Sequence, residues 1–458
     1  MILEIAELGA IKKMKLDLSN NFILFCGPNS TGKTYASYIL NAFLSERYKL
    51  KDIDCFNIIS EGLRKYRQFK LSIEYFDELM KKICDDIKSQ LGDIFGISEK
   101  TKENIFENFS MKVMLSDYDL KKVLDNTIDF NFIIGEEKIN ITKKKGDDTI
   151  RCQYVSGNFF GVTTFELPNY NIALHIIFLS LLFRERSYPR MLTVERNSIY
   201  TFKTELSLSR NELVDRLQMD NIQSDNDILR LVRSSSRRYP MAVSESLRVA
   251  NDLETIQKKE GYYAYIADEI EHDLLKGKVS TTKNGDVEFS SETMADSKRL
   301  PFHLSSSIVK TMASLVIYLR HIASKGDTLI VDEPEMNFHP DVQVILARIF
   351  ARLSNDGLRV VVSTHSDYII REVNNMIMAG VLYDRDKGKA AEESGYTREY
   401  SLDKKSVEVI YFNPNPETGY VETQSLPIDD EGFEVSSIDK TVVEQNQRME
   451  SLYESLYE

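Results

Sequence analysis

Eight consecutive residues, Gly27-Pro28-Asn29-Ser30-Thr31-Gly32-Lys33-Thr34, carry the spacing G-x-x-x-x-G-K-[ST], a pattern suited to gripping a polyphosphate. Glycines let the backbone turn tightly, so that successive N–H groups face one anion. Lys33 is placed to reach the β- and γ-phosphates and the Thr34 hydroxyl to ligate magnesium. Gly27, Asn29, Ser30, Thr31, Gly32, Lys33 and Thr34 are therefore the candidate nucleotide-binding residues. A second source of chemistry is the acid pair that ends TLIVDEP at 328–334. Asp332 is the candidate second magnesium ligand. Glu333 is the candidate group that polarises an attacking water, because phosphoryl transfer needs positioning and charge neutralisation more than covalent catalysis. A third is His365 in VVVSTHS, whose imidazole is suited to contact a γ-phosphate or to hold Glu333 and the water in line.

These groups need rigid elements beneath them. Phe22–Cys26 (FILFC) is a continuous apolar run of the kind a strand buried on both faces requires, and YASYILNAFL after the glycine turn has helical spacing. The helix adds the positive end of its dipole to the anion site. DTLIVDE at 327–333 and RVVVST at 359–364 read as further buried strands. Helices are expected at 304–322 and 341–353. Strands alternating with helices of this length imply a parallel sheet, and such a sheet presents its ligands at the carboxyl ends of its strands. The expected fold is α/β, with a mixed or parallel sheet core.

GPNSTGKT, LSSSIVKTMASLVIYL, IVDEPEMNFHP and VVVSTHSDYII occur in this order. The series resembles the four motifs of ABC-type ATPase heads, and most nearly the group that contains OLD-like, RecF-like and SMC-like proteins. The resemblance implies an ABC-type P-loop ATPase that takes ATP and Mg2+, with Asp332 and Glu333 as the Walker B pair and His365 as the switch histidine. Glu335 to Pro340 then occupies the D-loop position. Leu304-Ser305-Ser306-Ser307 resembles the signature loop, which in the family caps the γ-phosphate bound to the other subunit. Ser305, Ser306 and Ser307 thereby join the candidate nucleotide-binding residues. Ser307 stands where the family usually has Gly, and Ile308 where it often has Gln or Glu. Serine hydroxyls and backbone N–H groups still offer donors to phosphate, and the same serines suit an N-cap. MLTVERNSI at 191–199 resembles a strand and loop of bacterial defence ATPases of this class, with Glu195 and Arg196 in the place of a glutamine lid.

The function expected from this resemblance is a nucleotide-driven switch or scaffold, in at least a dimer of heads, that controls a separate effector chain (nuclease or toxin) in bacterial anti-phage defence. The alternative is a RecF- or SMC-like ATPase that clamps DNA. A transporter subunit is disfavoured by the large insertions and the altered signature. Residues 366–458 offer one compact acidic cluster, Asp384-Arg385-Asp386, which reads better as a turn than as a nuclease centre. The sequence has no N-K-x-D guanine-reading motif, so ATP is the expected nucleotide.

Composition narrows the classes further. The chain has 458 residues, 42% of them hydrophobic, and 58 Lys plus Arg against 71 Asp plus Glu, for a formal charge of −13. There is ample apolar material for a large core and no global attraction to nucleic acid or anionic membrane, so DNA contact would need a local basic patch. Arg230, Arg233, Arg237 and Arg238 form one such patch and Lys143 to Lys145 a second; in so acidic a chain a solvated charged face is the better reading of either. Four cysteines without paired spacing argue against a disulfide scaffold or zinc site and for a reducing, cytoplasmic location. The N-terminus lacks the pattern of a signal peptide. The most apolar stretch, Ile172 to Phe183, is shorter than the ~20 residues a membrane span needs.

Along the chain, six units are expected: a first ATPase segment at 1–50; a large helical insertion at 51–130; a return to the ATPase lobe at 131–205; a mostly helical subdomain at 206–300 with a hairpin at Lys283-Asn284-Gly285-Asp286; the lobe with signature, Walker B and histidine motifs at 301–410; and a tail at 411–458. The tail ends in a helix whose Val442, Met449, Leu452, Tyr453 and Leu456 fall near one face, for docking or dimerisation or for packing on its own domain.

Overall fold

A computed structural model describes residues 1–46, 68–134, 137–156, 188–203, 239–292 and 299–457. The apolar helix expected at 169–184 and the arginine cluster at 230–238 lie outside the described residues. The chain opens with strands β1 (Ile2–Leu8), β2 (Ile11–Asp17) and β3 (Phe22–Cys26), followed by the Lys33–Glu46 helix. Next come β4 (Gln68–Lys70), helices at Ile73–Ser89, Leu91–Phe95 and Glu99–Phe106, and β5 (Ser110–Met114). After a helix at Asp117–Asp125, β6 (Ile128–Ile134), β7 (Glu137–Lys143) and β8 (Thr149–Ser156) join β4 in an antiparallel sheet. β9 (Pro189–Leu192) returns to the main body. β10 (Gly277–Thr281), β11 (Val287–Ser291) and β12 (Arg299–Pro301) make a small antiparallel sheet. Its first turn is the expected one, closed by Thr282 N–H to the Asp286 carbonyl at 2.8 Å.

The remaining strands are β13 (Thr328–Asp332), β14 (Arg359–Thr364), β15 (Val407–Pro414) and β16 (Val421–Ser425). They complete a nine-stranded sheet in the order β5-β1-β2-β16-β15-β3-β14-β13-β9. β15, β3, β14, β13 and β9 run parallel to one another, while β1 pairs antiparallel with both β2 and β5. This is the mixed-sheet α/β core that the motif order requires.

The central parallel strands carry apolar runs because both faces are covered. In β3, Ile23 and Phe25 enter one core, with the Lys33–Glu46 helix and the 73–106 helices, while Phe22, Leu24 and Cys26 enter the other. Val361 likewise faces the first core and Val360 and Val362 the second, the two-residue period of a pleated strand. The second core is closed by helices Ser307–His321, Pro340–Asn355 and Asp367–Asp384. Pro340 supplies the preset φ of a first helical residue, and the Ser366 hydroxyl accepts from Ile369 N–H as an N-cap.

Two boundaries differ from those expected. The 51–130 segment is not wholly helical, since its β5 extends the main sheet beside β1. The 411 boundary falls inside β15, which pairs with β3 and is buried from Val409 to Phe412; VEVIYF is a core strand that carries no motif to announce it. On the terminal helix Ser436–Tyr457, the side chains of Met449, Leu452, Tyr453 and Leu456 are exposed. Asp384-Arg385-Asp386 ends a helix, with Asp386 left-handed at φ 56°, as a turn requires. Among the described residues no helix is long and apolar enough to cross a membrane.

Candidate nucleotide site

Sheet register assembles the site. β3 and β14 align Cys26 with Thr364, and β14 and β13 align Ser363 with Asp332. The phosphate loop, His365 and Glu333 each follow one of these three strand ends, so three distant segments emerge side by side. The loop itself is left-handed at Gly27 (φ 137°), Ser30 (62°) and Gly32 (91°). At Gly27 a Cβ would also stand 2.5 Å from the Phe412 carbonyl oxygen, so β15 and the loop can pack this closely only around glycine. Thr31 Oγ1 donates to the Pro28 carbonyl at 2.9 Å and braces the turn. The Lys33 ammonium crosses beneath it, donating to the carbonyls of Gly27 (2.9 Å) and Pro28 (2.7 Å). Burial lowers the Lys33 pKa, and the nearby carboxylates of Glu333, Glu335 and Asp332 oppose that shift.

A cavity of about 560 Å³ opens above the loop, lined on one side by Ser30 to Thr34 and on others by Gly9, Tyr35, Ile105 and Glu333. At its floor Thr34 Oγ1 donates to Asp332 Oδ2 at 2.9 Å. Asp332 is fully buried, and its second oxygen accepts the Ser363 hydroxyl. Burial raises its pKa, with the Ser363 and Thr34 hydrogen bonds working the other way. One hydroxyl and one carboxylate form a hard-oxygen pair that fits magnesium, an ion that takes few protein ligands and completes its shell with phosphate and water. Among the described residues there is no cluster of three or more His, Cys, Asp or Glu that could hold a metal.

Glu333 is left-handed at φ 44°, and its N–H donates to the Ser363 carbonyl at 2.9 Å. His365 Nδ1 lies 3.9 Å from Glu333 Oε1 and 3.2 Å from Glu335 Oε1. Glu335, for which the sequence suggested only a D-loop position, is buried. It accepts from Thr364 Oγ1 (2.7 Å) and from His365 N–H (2.8 Å), so it fixes the turn on which His365 stands. The signal for it in the sequence is the third acid of DEPE, two residues beyond Glu333.

Arg196 is not a solvent-facing lid. Its guanidinium is buried and donates to the carbonyls of Thr193 (3.0 Å), Asp332 (2.7 Å) and Glu333 (2.7 Å). Burial pulls its pKa down to about 10, so the cation survives at neutral pH. Ser305, Ser306 and Ser307 do not line the cavity of their own chain. Ser305 is buried with its hydroxyl unpaired, and Ser306 is the exposed N-cap of the Ser307–His321 helix, with no side-chain cap bond. Asn29 is exposed at the crest of the loop. Lys143 is not available to nucleic acid: its ammonium is buried and donates to the carbonyls of Leu124, Asn126 and Lys144.

Fold and site together define a P-loop nucleotide-binding head. The chain belongs to the AAA ATPase domain family, whose model matches residues 1–370. No curated protein sequence matches it. Among solved structures it is similar to an SMC head bound to the C-terminal winged-helix domain of ScpA, at 11% identity and TM-score 0.36, over 93% of this chain and 97% of that one. It is likewise similar to an SMC head with an extended coiled coil bound to the C-terminal domain of ScpA from Pyrococcus furiosus, at 11% identity and TM-score 0.35, over 97% and 98%.

Proposed function

We propose that this protein binds and hydrolyses ATP as a switch, its heads closing on one another around nucleotide, and that the shape change controls a separate effector chain in anti-phage defence. The observation that carries the ATPase reading is the convergence of Lys33, Thr34, Asp332, Glu333 and His365 at the ends of three neighbouring parallel strands, sealed by the Thr34–Asp332 hydrogen bond. The effector and defence role rest on the resemblance of the ordered motifs alone.

In this reading the loop N–H groups and Lys33 hold the β- and γ-phosphates, and Lys33 exchanges its carbonyl partners for phosphate oxygens. Thr34 and Asp332 hold the magnesium, which when bound neutralises phosphate charge. Glu333 faces the cavity, orients a water in line with the γ-phosphorus and accepts its proton as the new P–O bond forms and the bond to the ADP oxygen breaks. His365, anchored by Glu335, supports the γ-phosphate side of the same arrangement. Ser306 and Ser307, exposed and outside their own chain's cavity, contact the nucleotide of a second head, while the buried Ser305 supports the turn beneath them.

Steady-state phosphate release by the purified chain tests this directly. Magnesium-dependent turnover that disappears in Lys33→Ala and Glu333→Gln is the expected result. A parent chain with no turnover, or a Glu333→Gln variant at the parent rate, overturns the catalytic assignment.

A further inference from the structure

Arg196 places a permanent cation where water cannot reach it, and its partners are three backbone carbonyls rather than a carboxylate side chain. Burying a charge in this way is costly unless the surroundings compensate it fully. The compensation here comes from those carbonyls and from the field of Asp332, Glu335, Glu333 and Glu195 around it. The choice of carbonyls is informative. In an extended strand successive carbonyls point to opposite sides, yet one guanidinium fork holds those of both Asp332 and Glu333, at 2.7 Å each. That grip coincides with the left-handed φ of 44° at Glu333, a conformation a glutamate side chain disfavours. The loop bearing Arg196 is itself anchored. Arg196 N–H donates to the Thr193 carbonyl at 3.1 Å, and Ser314, on the helix that follows the signature serines, donates to the Arg196 carbonyl at 3.4 Å.

The geometry points to Arg196 as the positioning residue for Glu333: it clamps the peptide on each side of the Glu333 Cα, through the Asp332 and Glu333 carbonyls, and so aims the Glu333 carboxylate into the nucleotide cavity. This inference rests on the ATPase reading above and deepens it. Arg196 does not line the cavity, so its loss acts on turnover and spares nucleotide affinity. A catalytic group displaced by about 1 Å costs on the order of a hundredfold in rate. Arg196→Met keeps the apolar stem and removes every donor. Arg196→Lys keeps the charge but replaces the planar fork, whose two nitrogens hold the Asp332 and Glu333 carbonyls separately, with a single ammonium on a shorter reach.

The test compares the full chain with both variants in ATP affinity by calorimetry, in kcat and KM, and in crystal structures read at Glu333. The expected result for Arg196→Met is a kcat lower by about a hundredfold, ATP affinity within about threefold of the parent, and a Glu333 that has left φ near 44°. Arg196→Lys should fall between Arg196→Met and the parent. If Arg196→Met does not fold, Arg196→Lys decides alone: full kcat with Glu333 unmoved overturns the assignment, and a lowered kcat with unchanged affinity supports it. Turnover and a Glu333 backbone that stay as in the parent in Arg196→Met overturn it as well. A parent chain without ATPase activity defeats the ATPase reading instead, and the Glu333 backbone in the variant crystals still decides whether Arg196 sets it.

Discussion

Thr34 Oγ1 and Asp332 Oδ2 stand 2.9 Å apart although 298 residues separate them in the chain. The pair closes the floor of the cavity, joining the helix that follows the phosphate loop to the end of the acidic strand. In the ATPase reading proposed above, these two oxygens would hold the magnesium from either side.

Asp332 therefore titrates in two senses. Burial raises its carboxyl pKa above the usual aspartate value of 3.8, so on acidification the folded state takes up a proton before the unfolded state does, and stability falls as pH rises through that pKa. At neutral pH the buried anion costs stability. Asp332→Asn should thus raise the melting temperature, while magnesium ceases to strengthen ATP binding. In the parent, magnesium-dependent binding should be lost on acidification above the ordinary aspartate range. Scanning calorimetry and ATP titrations with magnesium or EDTA check both halves.

Lys33→Ala removes the cation proposed to hold the β- and γ-phosphates. Charge-assisted hydrogen bonds contribute about 1.5–3 kcal/mol each, so ATP affinity should fall by roughly 10- to 100-fold, as read by calorimetry. An affinity equal to the parent's would show that the phosphates lie elsewhere.

Glu333→Gln keeps shape and hydrogen bonding but cannot take a proton from water. ATP binding should persist while turnover falls by on the order of 10²–10⁴-fold. If closure around nucleotide joins two heads, ATP should also trap this variant as a dimer in size-exclusion chromatography.

Ser306 is exposed and lies outside the cavity of its own chain. Ser306→Arg should leave ATP binding to the isolated head within about twofold, while abolishing ATP-dependent association and the turnover that depends on it. Light scattering with and without ATP separates the two, and loss of binding in the isolated head would place the serine in cis.

Gly27→Ala tests a packing claim rather than a phosphate claim. The added methyl meets the Phe412 carbonyl at 2.5 Å in a residue with φ 137°. Strain of this kind costs on the order of 1–3 kcal/mol, so denaturant midpoints should drop even without nucleotide. An unchanged midpoint would mean that β15 and the loop move apart freely.

Much of this molecule was legible along the chain because its constraints are local. Gripping a triphosphate dictates the residues from Gly27 to Thr34 within one turn, and strands buried on both faces need apolar runs, which exposed FILFC, TLIVD and RVVVST as strands of the parallel core. The hairpin at 282–286 was readable for a similar reason, since its turn chemistry is contained in a few residues. What the chain order did not determine were partnerships set by sheet register and burial. β15 enters the sheet between β16 and β3 without any motif. Glu335 leaves the D-loop series to hold Thr364 and His365, and Arg196 turns inward onto the carbonyls of Asp332 and Glu333. Lys143, readable as a charged surface, is consumed by three carbonyls. Side-chain type limits what a residue can bond, but only the folded backbone decides which unpaired carbonyl or carboxylate lies within 3 Å of it.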